Sequence, residues 1–159
     1  MTERERFATD ERAVSISVTH VLTIGITTVL IAMLLIAGSS ALEAQTDRSV
    51  ESSLETVGER LANEIDNADR IADDADEVRI TAEHPRTVSN TGYTVELHNS
   101  CDAPLIDDET ACLELTAQDV DVVVYVPVAT EAELEDSSVS GGTIEIVADG
   151  DKIELEDAN

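Results

Sequence analysis

AVSISVTHVLTIGITTVLIAMLLIAGSSAL, residues 13–42, is a run of thirty residues without one Asp, Glu, Lys or Arg. Over the whole chain 28% of residues are charged, so the gap is not a composition effect. Crossing a hydrocarbon core of about 30 Å takes roughly 20 mainly apolar residues in a helix. The run is long enough, with residues to spare. A soluble core helix this long and this free of charge would be unusual, so the segment reads as a transmembrane helix. Upstream lie Arg4, Arg6 and Arg12 among four acids; downstream, only Arg48 and Arg60 follow within about 20 residues. Basic residues near the membrane ends favour the inner side, which puts the N-terminus in the cytoplasm and the C-terminal domain outside.

Outward from this segment the period changes but the helix has no reason to stop. Val50, Leu54, Val57, Leu61, Ile65, Ala68, Ile71 or Ala72, and Ala75 recur at steps of three and four, with acids and arginines between them. That is an amphipathic helix, read as a stalk over residues 43–77. Its stripe fits either a coiled coil with another helix or packing against the domain that follows. No proline falls in residues 14–84, and Gly38 and Gly58 are the positions for a flexure. From Val78 the period becomes two. Residues 78–81, 93–98, 112–116, 120–126, 143–147 and 152–155 read as strands, with turn signals at Asn90-Thr91-Gly92, Gly141-Gly142 and Asp149-Gly150-Asp151. The last is a hairpin candidate. Strands without intervening helices imply one antiparallel sheet of five or six. The sequence therefore predicts an α+β membrane protein. A charged leader, unstructured by itself, covers 1–13; a transmembrane helix 14–42; the stalk 43–77; and an acidic β-rich head 78–159.

Composition narrows the function. The chain has 35 acids against 9 bases, a net charge of −26, and all but one unit of it lies from Glu43 onward. Such a surface repels phosphates, so nucleic acid is not an expected partner. The acids alternate with regular apolar positions, unlike a disordered tail. A hypersaline medium fits best, because a Debye length near ~3 Å at molar salt screens the self-repulsion. Cys101 and Cys112 fall in the external part. A disulfide between them is the expectation there, against the alternative of two buried free thiols.

Little in the sequence suggests chemistry. His20, His84 and His98 lie on different elements, and no phosphate loop, zinc spacing or EF-hand pattern occurs. Acidic groups such as Asp73-Asp74-Asp76-Glu77 and Asp107-Asp108-Glu109 follow from composition. The expectation is no enzyme, no cofactor and no metal site. The apolar segment does carry a pattern: Ser15, Thr19, Thr23 and Thr27 recur every four residues and form one hydroxyl stripe. It suits helix packing, and equally hydrogen bonds back to the helix's own carbonyls.

The order of leader, apolar helix, amphipathic continuation and β-rich head resembles an archaeal type IV pilin or pilin-like protein. Asp10-Glu11-Arg12-Ala13-Val14-Ser15 sharpens this. It is similar to the class III signal of haloarchaeal pilins, in which a charged and a small residue precede the cut. The resemblance implies that a prepilin peptidase cuts between Ala13 and Val14, with Arg12 at −2 and Ala13 at −1. It also implies that the apolar helix stays on the mature subunit, anchored in the lipid bilayer and then packed against other pilin-like subunits and an assembly platform. Ser15-Ile16-Ser17-Val18-Thr19 stands where such pilins commonly have Ser-Pro-Val-Ile-Gly, which points to a minor or divergent subunit. Two other expectations stand beside it. One is a single-pass surface protein that never polymerises. The other is a secreted protein cleaved near the small residues Gly38-Ser39-Ser40-Ala41.

Overall fold

Neither proline nor glycine interrupts the first 24 residues, and no proline occurs before Pro85. The backbone can therefore continue as helix wherever side chains allow. In the computed structural model one helix, α1, spans Arg4–Ala72. The structure describes residues 4–72, 75, 77–103 and 110–158, with side chains from Val18 onward. The charged leader, which sequence alone reads as unstructured, belongs to α1 from Arg4. The chain divides into two compact units, Met1–Ala44 and Gln45–Asn159. Within its described residues, the first unit is helix.

Among the described residues, the second unit holds the rest of α1 and nine strands. They are β1 (Glu77–Glu83), β2 (Thr87–Val88), β3 (Thr91–His98), β4 (Cys112–Ala117), β5 (Val123–Pro127), β6 (Glu133–Leu134), β7 (Ser137–Ser140), β8 (Thr143–Asp149) and β9 (Lys152–Asp157). One sheet runs β1-β8-β9-β6; the other runs β2-β3-β4-β5, with β7 also on β3. Every pairing is antiparallel except the two-residue β6–β9 match. All six strands read from alternation are present, but they divide between two sheets rather than forming one. The cause is the long-range pairing of β1 with β8, which puts Ile80 opposite Ile146. No local turn signals it. Strands β2, β6 and β7 are too short and polar to register as alternation. The span read as a strand from residue 120 begins at Val123, because Val120 and Val122 lie in a bend closed by Ala117 N–H to Val122 O at 3.0 Å.

The turns follow from backbone freedom. Ser89 and Asn90 have φ of 47° and 71° and join the paired Val88 and Thr91, the mirror-type turn whose twist suits a hairpin. Gly150, at φ 60°, opens the two-residue turn between paired Asp149 and Lys152, as the hairpin reading expected. Gly141-Gly142 carries the chain from one sheet to the other. A Cβ on Gly141 would sit 2.5 Å from the Tyr93 ring, so only glycine fits.

The core explains the amphipathic stripe. Val50, Leu54, Leu61, Ile65 and Ala68 have no exposed area and join one cluster with Val95, Leu97, Leu113 and Leu115 of one sheet and Ile144, Ile146 and Ile153 of the other. Each such Leu or Ile contributes roughly 1.5–3 kcal/mol relative to an exposed one. Within this unit residues 45–72 are thus a structural member of the domain, the second of the two fates left open by the sequence. Gly58 is no flexure here. A Cβ on it would lie 2.7 Å from Val126 Cγ2 and 2.9 Å from Leu115 Cδ1, so its absence lets helix and sheet close up. Cys101 and Cys112 are joined in a disulfide, Cα atoms 6.0 Å apart, fixing the segment before β4 to that strand's first residue.

Candidate functional site

A helix segment carrying apolar and hydroxyl side chains and, apart from His20, nothing else must bury them somewhere. In the first unit none of the apolar span is buried among the described side chains, from Val18 onward. The large apolar side chains from Val18 to Ile36, with Leu42, are 53–72% exposed. The most apolar 18-residue window has a mean hydropathy of 2.5, making this the one described helix long and apolar enough to cross a membrane. Contiguous apolar surface beyond a few hundred Å² marks a site of interaction. This is the largest such feature among the described residues.

Five of its described hydroxyls donate within the helix. Thr23 Oγ1 donates to Thr19 O and Thr27 Oγ1 to Thr23 O, both at 2.8 Å. Thr28 donates to Ile24 O at 2.8 Å, and Ser39 and Ser40 to Ile36 O at 2.9 and 3.3 Å. Back-bonding of this kind removes most of the cost of taking a hydroxyl into hydrocarbon, which is several kcal/mol when unpaired. Of the two roles read for the stripe, this is the one the single chain makes. Arg12, Ala13, Val14 and Ser15 fall in α1 by backbone, and their side chains lie outside the described residues.

The two other histidines the sequence leaves isolated each have a partner. His84, its side chain fully buried, places Nε2 3.1 Å from Glu64 Oε2 and so ties the end of β1 to α1. Its Nδ1 is buried without a partner. His98 sits among three carboxylates: Nε2 is 3.5 Å from Glu96 and 3.8 Å from Glu114, and Nδ1 is 3.6 Å from Asp136. Glu96 and His98 share a face of β3 by their spacing of two, a signal visible in sequence. Glu114 arrives only through the register that sets it opposite Glu96. Asp136 comes from the β6–β7 connection. Beside it, a surface cavity of about 320 Å³ is lined by Asn99, Glu133, Leu134, Glu135, Asp136 and Lys152.

Elsewhere the acids pair where they can. The Arg79 guanidinium is held above its ordinary pKa by the hydrogen bond to Glu77 at 2.8 Å, with Glu145 and Glu156 nearby adding to it. Of the acidic group around Glu77, Asp73, Asp74 and Asp76 lie outside the described residues, as do Asp107, Asp108 and Glu109.

No curated protein and no solved structure matches the chain. A family model matches residues 9–156, taking in the apolar helix as well as the β-domain. The chain therefore belongs to that family, described as a family of unknown function, DUF7266.

Proposed function

We propose that the chain is a pilin-like, minor subunit of an archaeal type IV pilus-like cell-surface filament. Residues 14–42 hold it in the cell membrane before assembly and pack against other pilin-like subunits afterwards. The N-terminus is cytoplasmic and the acidic domain extracellular. Its work is assembly and surface contact rather than catalysis. The observation that carries this reading is the division of one helix. Residues 18–42 are apolar and bare, whereas Val50 to Ala68 are built into a β-domain core. Lipid or neighbouring helices covering thirteen large apolar side chains would contribute tens of kcal/mol, by roughly 1.5–3 kcal/mol for each. A helix retained whole on the subunit is what a cut between Ala13 and Val14 produces.

A second reading, a non-polymerising surface anchor, is favoured by the threonine hydroxyls, whose bonds to their own helix need no partner helix. N-terminal sequencing of the mature protein separates the two. A start at Val14 supports the pilin-like reading and an intact leader the simple anchor. A start near Ala41 overturns both in favour of secretion. The net charge of −26 we read as adaptation to high salt. Circular dichroism across a salt series tests it, and a fold indifferent to low salt counts against it.

A further inference from the structure

The β3–β4 register puts Glu96 directly opposite Glu114. Like charges in that position destabilise a sheet, and here they sit in a chain of net charge −26. Neither carboxylate has an Arg or Lys within ion-pair distance among the described residues; both face His98 Nε2. Two acids around one imidazole form a ligand set as well as an electrostatic conflict.

We propose that Glu96, His98 and Glu114 bind a divalent transition-metal ion of the zinc class. The three ligand atoms already lie within 4.8 Å of one another, with Nε2 at 3.5 and 3.8 Å from the two carboxylate oxygens. A tetrahedral ion with bonds of about 2.0–2.1 Å sets its ligand atoms roughly 3.4 Å apart, so Nε2 already stands near that spacing and the two partly exposed carboxylates close the remainder, at most about 1.4 Å. Asp136 supplies the supporting shell. Its carboxylate faces Nδ1 at 3.6 Å, where it can accept a hydrogen bond from Nδ1–H once Nε2 is on the metal. One imidazole with two carboxylates suits zinc and its neighbours, whereas calcium and magnesium prefer oxygen alone. The scaffold is stiff: β3 is flanked by β4 and β7, and His98 pairs in register with Cys112 of the disulfide. The side chains are 27–44% exposed, which leaves the fourth position to water. The site stands apart from the membrane reading and does not depend on it.

The test is isothermal titration of the full chain, in detergent micelles and at high salt, with zinc chloride. A single zinc per chain is expected, with affinity falling at least tenfold in His98→Gln and Glu114→Gln. Asp136→Asn should cost about tenfold, as supporting partners commonly do. Affinity should also fall on acidification, because the ligands must be deprotonated. With cobalt(II), the intense visible absorption of a tetrahedral site should appear in the wild type and vanish in His98→Gln. Unchanged circular dichroism shows that each variant is folded. Equal zinc affinity in the wild type and His98→Gln, binding at many equivalent weak sites, or displacement by equimolar calcium would each overturn the proposal.

Discussion

Residues 18–42 and 50–68 are both α-helix, drawn from one uninterrupted element, yet they present opposite surfaces. The first carries no charged residue on any face, is apolar but for a hydroxyl stripe, and is bare; the second is apolar on one stripe, and that stripe has no exposure at all at Val50, Leu54, Leu61 and Ile65. Backbone hydrogen bonding is the same in both, so it cannot be the source of the difference. The angular spread of the apolar positions is. A stripe finds its partner inside the chain, while a largely apolar, uncharged circumference needs a medium.

One charge moved between the regions gives the sharpest break. Leu61→Asp buries an unpaired carboxylate in the core and should destabilise the Gln45–Asn159 unit by more than about 4 kcal/mol, which chemical denaturation would read as loss of the folded β signal. Thr27→Asp should leave that unit folded and act only on the other region. At a bilayer centre an Asp costs about 2.5–3.5 kcal/mol, far less than burial of the apolar side chains contributes, so the span should persist while the proposed assembly through it fails. Unchanged assembly in Thr27→Asp would remove the packing role proposed for the hydroxyl stripe.

The disulfide comes next. Cys101 and Cys112 close a short loop within the second unit, and removing the link with a double serine variant should cost about 2–3 kcal/mol there by the chain-entropy model. Denaturant midpoints with and without reductant measure it. The helical signal of the micelle-bound apolar segment should not change.

Glycine gives a smaller effect of opposite sign in the two regions. Gly58→Ala must push Val126 and Leu115 aside and should cost about 1–3 kcal/mol. Gly38→Ala meets nothing within 4 Å and should instead favour the helix by roughly 0.5–1 kcal/mol. Equal shifts at both positions would mean that Gly58 is a flexure after all.

These sites also mark what sequence could and could not convey. The helix, its change of character after Leu42 and the six longer strands are local patterns, carried by periods of 3.6 and two, and they are legible. So is the Asp149–Lys152 turn, through Gly150. The partition into two sheets is not legible, because β1 reaches β8 across more than half of the domain. Gly58 looks like a flexure until Leu115 and Val126 are brought against it. Glu96 and His98 are visible by their spacing of two, but Glu114 and Asp136 join them only through register and through the β6–β7 connection.

Tyrosine ionisation offers the finest probe of the second region, since the chain has two tyrosines and no tryptophan. Burial raises the pKa of Tyr93, with the Gly142 backbone amide pulling the other way, while its hydroxyl donates to Pro85 O at 2.7 Å. Tyr125 is also raised, by desolvation first and then by Glu114 and Asp102, but it remains partly open to solvent. For Tyr93 the folded chain holds the proton more tightly than the unfolded one. Its contribution is therefore fully present below about pH 10 and is lost as pH rises through the raised folded value. Tyrosinate absorbance should climb in two steps, Tyr125 before Tyr93, the second coinciding with loss of the β signal. Tyr93→Phe should sacrifice about 1 kcal/mol at neutral pH with the hydrogen bond to Pro85, yet flatten the alkaline slope. An identical alkaline midpoint in Tyr93→Phe would place the sensitive group elsewhere. Because Tyr93 belongs to the β-domain core and not to the bare segment, the transition should leave the helix signal of residues 18–42 in place.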